Sequence, residues 1–528
     1  MTINFVPNDP NAQNDMPLRQ QPARRDRPAT RASFNFESQH APEGRFNVGT
    51  LDFLFWQSRE AALAAVEAFE EFAGNLTSWA DRSSNPKRID LSPIFNDGET
   101  LGSQRLNAFY DGLGVRFFDF DNGQETIFSG ISTDTVSHEV GHALLDSVRP
   151  ELFQSNLPEV PAFHEAFGDC MALLTALADR QTRTKLLQVS PDLSAPNFVE
   201  ADSEYLSEAI RKQFGNVAPS KPRRALNTFQ WQLPTALPAG SFNDAPGLLS
   251  REAHSFSRVF TGCFYDMLRA IFTSGSSSDE AGLAAAAITA GKLLVTAVQA
   301  TPETARYFQG IGRAMVKVDE QQNGGANRDL IGKAFAGHGV LLGSAAMTAA
   351  TAGLDGPPPK VLKTSATIAP ATLGDLRRRM RTPKGARFEV RPMRMLGEGV
   401  AQAVHRREVP LGQVSGRLRG VVAYAAEPVL VGSSGPRAAL LGALPESNRT
   451  EDEVAAYVET LLKHDRIALD GRPAPKRAAA LRRGGPQRRG TMAVASAEPE
   501  TPQPYTHVIR PVGGKKVLTR VRFLCGCC

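Results

Sequence analysis

The chain has 528 residues, of which 41% are apolar, and its formal net charge is +5. This length is too great for one compact core, so we expect at least two folded units, and the apolar content excludes a chain disordered throughout. No stretch has the pattern of a membrane span. The most apolar one, from Gly282 to Ala300, contains Lys292 and shows helical periodicity, which favours a buried helix.

The first 45 residues are polar and predict a disordered lead. They are rich in Asn, Pro, Gln and Arg, and they contain no apolar segment of the length that a secretory signal needs. We therefore expect a cytoplasmic protein, or one exported without an N-terminal signal peptide. From Leu51 to Arg82 apolar residues recur at helical spacing, which predicts a long amphipathic helix. Short strands and turns are predicted from there to about residue 130.

The most informative stretch runs from His138 to His142 and has the sequence HEVGH. Residues 133–135 offer side-chain oxygens that can cap a helix, and apolar residues surround the two histidines. On a helix, residues four apart lie on one face, so both imidazoles can bind one tetrahedral ion while Glu139 reaches a water on that ion. The alternative interpretation is a buried helix whose two histidines have other partners.

A catalytic zinc site also needs a third protein ligand and one open position for water. A second apolar helix is predicted around His164 to Asp169, and it offers Glu165 as that ligand. Asp169, one turn further on, can accept a hydrogen bond from a ligating imidazole. His164 competes with Glu165 for the ligand role, and spacing does not decide between them. An exposed acidic helix face is the alternative, but the neighbouring apolar residues favour burial.

These motifs, in this order, resemble the thermolysin-like zinc metallopeptidases. The resemblance covers roughly residues 45–345 and rests on short segments in the family's order: Asn107–Tyr110, Gly130–His142, Glu165–Asp169, Arg224–Asn227, His254–Tyr265 and Asn327–Leu342. It implies an α+β fold of two lobes over residues 46–348. The N-terminal lobe would contain strands and the active-site helix, the C-terminal lobe would be mainly helical, and peptides would bind in the cleft between them.

The resemblance also implies which residues bind the metal. One Zn2+ per chain would be bound by His138, His142 and Glu165, and Asp169 would hold a ligating imidazole from behind. Zinc lowers the pKa of a bound water towards roughly 7, and Glu139 would act as general base when that water attacks a peptide bond.

Further matches imply how a substrate would be bound. His254 would donate a hydrogen bond to the charge that develops on the substrate carbonyl. Asn107 and Ala108 would bind the substrate backbone at a strand edge, and Arg224 would bind a substrate carbonyl, with Arg223 as its rival. On local sequence alone, a turn asparagine and a solvent-exposed arginine are equally good interpretations.

The chain departs from the family pattern at several positions. Phe153 stands about where the family has a tyrosine that assists the oxyanion, so we expect a slower enzyme than the secreted relatives. The aspartate usually found five residues before the second catalytic histidine is replaced by Leu249, with Glu252 as the nearest acidic substitute. Secreted relatives bind calcium through an acidic cluster that is not evident after Glu165 in this chain, and its absence argues against calcium as a cofactor. Asp134 matches one member of that cluster.

The last third of the chain differs in composition. We predict a linker over residues 349–384, a possible small α+β module over 385–470, and a basic low-complexity tail over 471–528 that ends in Cys525, Cys527 and Cys528. Residues 351–528 contain 30 Lys and Arg against 15 Asp and Glu, which leaves the preceding part with a net charge of about −10. The basic tail could dock on an acidic surface or on its own catalytic domain. Aromatic residues are scarce in it, so stacking on nucleic-acid bases is poorly supported. The alternative, which we favour, is an exposed appendage.

The sequence thus predicts a zinc-dependent endopeptidase. The rival hypothesis is a catalytically weak or inactive protein with the same fold, which would bind peptides or a partner; Phe153 and Leu249 motivate it. A third hypothesis is that the enzyme cleaves its own Arg- and Pro-rich stretch near residues 471–503.

Overall fold

The computed structural model has a mixed α+β fold, which agrees with the fold class predicted from the sequence. It describes residues 2–36, 41–80, 85–98, 100–343, 370–382, 386–392, 400–432, 439–440, 447–469 and 505–524. Residues 471–503, which hold most of the predicted tail and the hypothetical self-cleavage site, lie outside the described residues. So do Cys525, Cys527 and Cys528.

Helices dominate the chain between residues 133 and 337. The helices are α1 (Leu51–Ala73), α2 (Thr133–Val148), α3 (Glu159–Ala178), α4 (Arg180–Val189), α5 (Glu204–Phe214), α6 (Ala253–Ser274), α7 (Glu280–Ala300), α8 (Tyr307–Asn323), α9 (Arg328–Gly337), α10 (Pro370–Arg379) and α11 (Ser447–Lys463). The strands are β1 (Thr2–Phe5), β2 (Arg19–Pro22), β3 (Ser33–Phe36), β4 (Arg88–Ser92), β5 (Ala108–Tyr110), β6 (Gly114–Phe117), β7 (Asp119–Asp121), β8 (Thr126–Phe128), β9 (Ala201–Asp202), β10 (Arg223–Arg224), β11 (Phe388–Pro392), β12 (Val400–Pro410), β13 (Val421–Gly432), β14 (Ala439–Leu440), β15 (Ile467–Ala468), β16 (His507–Val512), β17 (Lys515–Arg520) and β18 (Phe523–Leu524).

The N-terminal half contains a five-stranded sheet of order β18-β5-β6-β4-β3. Strands β3, β4 and β6 run parallel to one another, whereas β5 pairs antiparallel with both β6 and β18. Helix α2 packs against β5 and β6, so this sheet lies directly on the helix that contains the HEVGH motif. The edge strand β18 comes from the far C-terminal end of the chain.

Helix α1 is shorter than the predicted helix from Leu51 to Arg82. It begins after Thr50, whose side-chain oxygen accepts a hydrogen bond from the backbone N–H of Phe53 at 3.2 Å. It ends at Ala73 because Gly74 adopts a positive φ of 77°, a conformation that glycine tolerates and a helix does not continue through.

The disordered lead predicted for residues 1–45 is wrong for the residues described there. β1 and β2 form an antiparallel pair, and β3 joins the five-stranded sheet. Ile3 and Phe5 are buried against α1, and the side chain of Gln57 on α1 bonds both the N–H of Val6 at 2.9 Å and its carbonyl at 3.0 Å. Apolar residues of this polar segment therefore take part in the core, and the buried amide of Gln57 satisfies the backbone of Val6.

The C-terminal region forms a second sheet of order β11-β12-β13-β17-β16-β15, with β14 paired to β13. Two parts of the predicted organisation change. Helix α10 lies inside the predicted linker over 349–384, and residues 505–524, assigned from sequence to the tail, form β16, β17 and β18. β17 pairs parallel to β13, so the sheet is completed across residues that are far apart in sequence.

The second sheet and α11 pack on the helical part of the chain. Arg306 Nη1 lies 3.1 Å from the carboxylate of Glu159 on α3, and the same guanidinium binds Glu453 on α11; both glutamates are fully buried. The side chain of Asn156 donates to the carbonyl of Tyr424 on β13 at 2.9 Å.

Among the described helices, α7 is long and apolar enough to cross a bilayer by length and composition. It packs against α1, α6 and α8, which is the position of a core helix.

Candidate metal centre

The two histidines of the HEVGH motif lie one turn apart on the buried face of α2. The helix begins after Ser132, whose side-chain oxygen accepts from the backbone N–H of Thr135. His138 and His142 are fully buried, and their rings meet edge to face with centroids 4.8 Å apart. A carboxylate oxygen of Glu139 lies within 4.8 Å of a ring nitrogen of each histidine.

Helix α3 brings Glu165 to this pair. Its Oε2 lies 3.4 Å from Nε2 of His138 and 3.6 Å from Nε2 of His142. A tetrahedral ion with bonds of about 2.0–2.1 Å has ligand atoms about 3.3 Å apart. The two distances from Glu165 therefore suit a single small cation held with the two histidines, whose ring nitrogens lie within 4.8 Å of each other.

The atoms that face this point make no hydrogen bond to the described residues. They are Nε2 of His138, Nε2 of His142 and both carboxylate oxygens of Glu165, all of them buried. A buried polar group without a hydrogen bond costs free energy, and a cation that accepts lone pairs from all three side chains removes that cost. The donor set of two imidazoles and one carboxylate is the set that zinc prefers at catalytic sites. These residues therefore fit a zinc ion.

Two glycines let the helices approach closely enough to form the site. A Cβ added at Gly168 on α3 would lie 2.7 Å from Cε1 and Nδ1 of His138, and a Cβ added at Gly141 on α2 would lie 3.0 Å from the Cα of Gly168. Any side chain at residue 168 would thus displace the His138 ring. Each of the two motifs contains one of these glycines, but the sequence alone does not show that they lie where α2 and α3 cross.

The other ring nitrogen of His138 faces an ionic cluster. Its Nδ1 lies 3.1 Å from Oδ1 of Asp169 and 3.7 Å from Oδ2 of Asp202, and Arg223 Nη2 donates to Asp169 at 2.7 Å. His138, Asp169 and Asp202 form a second group able to hold a cation. Because Nδ1 of His138 is bound by Asp169, its Nε2 remains directed at Glu165, which is the orientation that a metal ligand needs.

The charges of this cluster shift two pKa values in opposite directions. Burial lowers the pKa of His138, but the nearby carboxylates of Asp169 and Glu165 outweigh burial and raise that pKa well above its ordinary value. Burial raises the pKa of Asp169, but Arg223 and His138 outweigh it and lower that pKa. Asp169 is therefore a carboxylate at neutral pH.

His164, the rival ligand, lies on the other side of His142. Their Nδ1 atoms are 3.3 Å apart, whereas the Nε2 of His142 faces Glu165. His164 therefore supports the ring of His142 rather than sharing its metal position, and the geometry favours Glu165. Burial, together with the nearby imidazoles of His138 and His164, lowers the pKa of His142 well below its ordinary value, so its ring is neutral and able to donate a lone pair.

His254, on the first turn of α6, lies on the open side of the site. Its Nε2 is 3.3 Å from Oε2 of Glu165, and its Nδ1 is 2.7 Å from Oε1 of Glu252. Burial lowers the pKa of His254, but Glu165 and Glu252 outweigh burial and raise it to about 9. Glu252 thus holds the imidazole in place, in spite of Leu249 at the family's usual acidic position.

Asn107 and Ala108 lie at the start of β5, beside the metal position. Asn107 is fully buried, and neither atom of its amide makes a hydrogen bond to a described residue. Tyr110, at the other end of β5, donates its hydroxyl to Asp146 on α2 at 2.8 Å. Phe153 is buried with its ring edge-on to Tyr110 and offers no hydroxyl to the site.

Of the two candidate arginines, Arg223 is the one that reaches the centre. Its guanidinium contacts Asp169, Asp202 and, at 3.2 Å, Nδ1 of His138. The predicted Arg224 instead pairs with the buried Glu200, and its role in binding a substrate carbonyl stays a prediction. The two are neighbours on β10, where successive side chains point to opposite faces.

The cleft beside His254 has two further features that the sequence did not indicate. A cavity of about 410 Å3 lies next to it and is lined in part by Arg223, Arg224 and Phe229. On the opposite side, Phe523 and Leu524 of β18 fill the space between β5 and the histidines. A two-residue strand near the C-terminus gives no periodic signal, so nothing local in the sequence could have identified it.

Comparison with models of known protein families gives no match, and a search among curated proteins finds no similar protein. The functional assignment therefore depends on the residues of this chain and their geometry.

Proposed function

We propose that this chain is a zinc-dependent endopeptidase with a two-lobed, thermolysin-like catalytic part. The observation that supports it best is the convergence of three buried ligand atoms. Oε2 of Glu165 lies 3.4 Å from Nε2 of His138 and 3.6 Å from Nε2 of His142, distances that suit a tetrahedral ion, and these atoms make no hydrogen bond to the described residues.

Zinc at this position would supply a water whose pKa is lowered towards roughly 7. Glu139 follows His138 in the sequence and lies within reach of the same point, so it would accept the proton of that water and later transfer it to the leaving amine. The burial of Glu139 excludes bulk water from this proton transfer.

The substrate carbonyl would gain negative charge as water attacks, and His254 is placed to stabilise it. Glu252 orients the His254 ring through Nδ1, which leaves Nε2–H directed into the cleft. Phe153 contributes no second donor. Loss of one such donor typically costs on the order of a hundredfold in rate, so we infer a slow enzyme.

An extended peptide would bind antiparallel to β5. The amide of Asn107, which lacks a hydrogen bond to any described residue, would pair with the peptide backbone. Arg223 would bind a substrate carbonyl only by giving up part of its contact with Asp202, so its first role is to hold Asp169 against His138.

Zinc content and hydrolysis test this proposal separately. We expect one zinc per wild-type chain, loss of the metal in His142→Ala, and retained metal without hydrolysis in Glu139→Gln. Glu67→Gln is the matched control because Glu67 is exposed on α1. Where the wild type cleaves a denatured-protein mixture, equal cleavage by Glu139→Gln would contradict the proposal, as would unchanged zinc content in His142→Ala.

The alternative is a peptide-binding protein that retains the metal but not the activity, and the missing hydroxyl at Phe153 favours it. Both proteins would bind zinc, so metal content does not separate them. A hydrolysis product that requires Glu139 would exclude the alternative.

A further inference from the structure

The C-terminal strand β18 occupies the strand edge where a substrate would bind. It pairs antiparallel with β5, with Phe523 opposite Tyr110 and Leu524 opposite Phe109. In the sheet order β18-β5-β6, strand β5 would be the edge if β18 left. A peptide that pairs with β5 must therefore replace β18.

The side chain of Phe523 fills the space in front of the proposed zinc ligands. It is fully buried, and its ring stacks on His164 with centroids 4.0 Å apart and on His142 with centroids 4.9 Å apart. Its third neighbour is Phe153, edge to face at 4.9 Å. A substrate side chain could not enter this space while Phe523 remains there.

The backbone of the same strand engages the proposed oxyanion donor. The carbonyl oxygen of Leu524 lies 2.6 Å from Nε2 of His254, while Nδ1 of His254 is bound to Glu252. Both ring nitrogens are thus engaged. A substrate carbonyl would need the hydrogen bond that Leu524 now receives.

Residues just before β18 fasten it to the catalytic part. The side chain of Gln154 makes two hydrogen bonds to the backbone of Arg520, at 2.8 Å to its carbonyl and 3.0 Å from its N–H. The Arg520 guanidinium lies over the Phe523 ring at 3.4 Å, and that of Arg522 lies over the Phe109 ring at 4.6 Å. A strand of two residues is therefore held by contacts on both sides of it.

We propose that residues 520–524, the C-terminal segment, are an intramolecular inhibitor of the site. This inference rests on the proposed endopeptidase function. This segment pairs with the edge of β5, fills the space in front of His142 and accepts the hydrogen bond of His254. No substrate can reach the site while these contacts persist, so the full chain has no peptidase activity. Activity appears when the segment is removed or displaced.

A chain that ends at Arg520 tests the inhibition directly. It keeps β17 whole and loses Phe523 and Leu524. With zinc present, we expect it to cleave a denatured-protein mixture at least tenfold faster than the full chain, and Glu139→Gln in the shortened chain to abolish the gain. Equal rates for the full and shortened chains would overturn the proposal.

A binding measurement does not depend on catalysis. A fluorescein-labelled synthetic peptide of residues 515–524 should bind the shortened chain and not the full chain, and Phe523→Ala in the peptide should weaken binding at least tenfold. No binding to the shortened chain, with hydrolysis equal in both chains, would overturn the inhibition alone. Binding without hydrolysis by any chain would overturn the endopeptidase function and the inhibitory role with it.

Two control variants of the full chain complete the test. Val512→Ser changes an exposed residue on the adjoining β16 and should leave the chain latent. Replacing Cys525, Cys527 and Cys528 together by serine matters because the shortened chain also lacks these thiols, which are potential zinc ligands. This variant should also stay latent, and activity equal to that of the shortened chain would overturn inhibition by the strand.

Discussion

The metal centre and the two ends of the chain contrast in how they are built. The candidate centre comes from α2 and α3, neighbouring helices whose proposed ligands His138, His142 and Glu165 are close in sequence. The ends arrive from far away: the carbonyl of Asn8 accepts from the N–H of Thr133 at the start of α2, and Phe523 stacks on His142 near its middle.

The ligand pair and its cover thus depend on contacts of different range. Helical spacing alone places two imidazoles on one face, and it does so in any fold that keeps the helix. Phe523, which stacks on His142, belongs to β18 and follows directly after β17 of the second sheet. Three predictions separate these two levels.

The largest effect is expected at the interface that holds the second sheet. Arg306→Met leaves the buried carboxylates of Glu159 and Glu453 without their shared cation, so we expect the free energy of unfolding to fall by about 3 kcal/mol in urea titrations. Lys515→Met is the control, because its pair with Glu408 is exposed and should contribute less than about 0.5 kcal/mol. A similar loss in both variants would mean that this ion triad does not stabilise the interface.

A smaller effect is expected within the centre itself. In Gly168→Ala the new methyl group meets the His138 ring at 2.7 Å, so we expect zinc affinity to fall about 10- to 100-fold and stability by about 1–3 kcal/mol. Competition with a fluorescent chelator measures the affinity. Gly337→Ala, where a Cβ meets nothing within 4 Å, is the control and should leave zinc affinity unchanged. Wild-type affinity in Gly168→Ala would show that the helices can separate without loss of the site.

The smallest effect is expected at the N-terminal end, where carboxyl groups crowd the start of α2. Burial raises the pKa of Asp9 to about 6, and burial with Asp9 nearby raises the pKa of Glu204 to about 7. A carboxyl whose pKa is higher in the folded state stabilises the fold at low pH, and this contribution is lost as the pH rises through that pKa.

Asp9 and Glu204 should therefore make the free energy of unfolding decrease as the pH rises from about 4 to about 7. In Asp9→Asn we expect a decrease smaller by about 1–2 kcal/mol, because the amide stays neutral and also relieves repulsion of Asp134. Thermal unfolding across this range measures it, with the exposed Asp52→Asn as control. Parallel pH curves for wild type and Asp9→Asn would contradict the assigned shift.

The sequence predicted what depends on periodicity and missed what depends on register. The helices around His138 and Glu165 follow from apolar spacing, and the α+β class follows from the mixture of patterns. The choice between Arg223 and Arg224 depends on how β10 pairs with β9, since a shift of one residue exchanges the faces.

Chain ends were the hardest part to predict. β1 has four residues and β18 only two, so neither is long enough to give a periodic signal. Their order comes from partners such as Gln57 and Gln154, whose amides satisfy the backbone of each end from a different part of the chain.

The attachment of the C-terminal segment to the same polypeptide as its cleft has a quantitative consequence. A tethered ligand has an effective concentration on the order of millimolar, and diluting the protein does not lower it. A free peptide present at micromolar concentration would compete at roughly a thousandfold disadvantage even if it bound as well. The rate of hydrolysis in a sample would therefore be proportional to the number of chains whose C-terminal segment has been removed or displaced, and not to the total protein concentration.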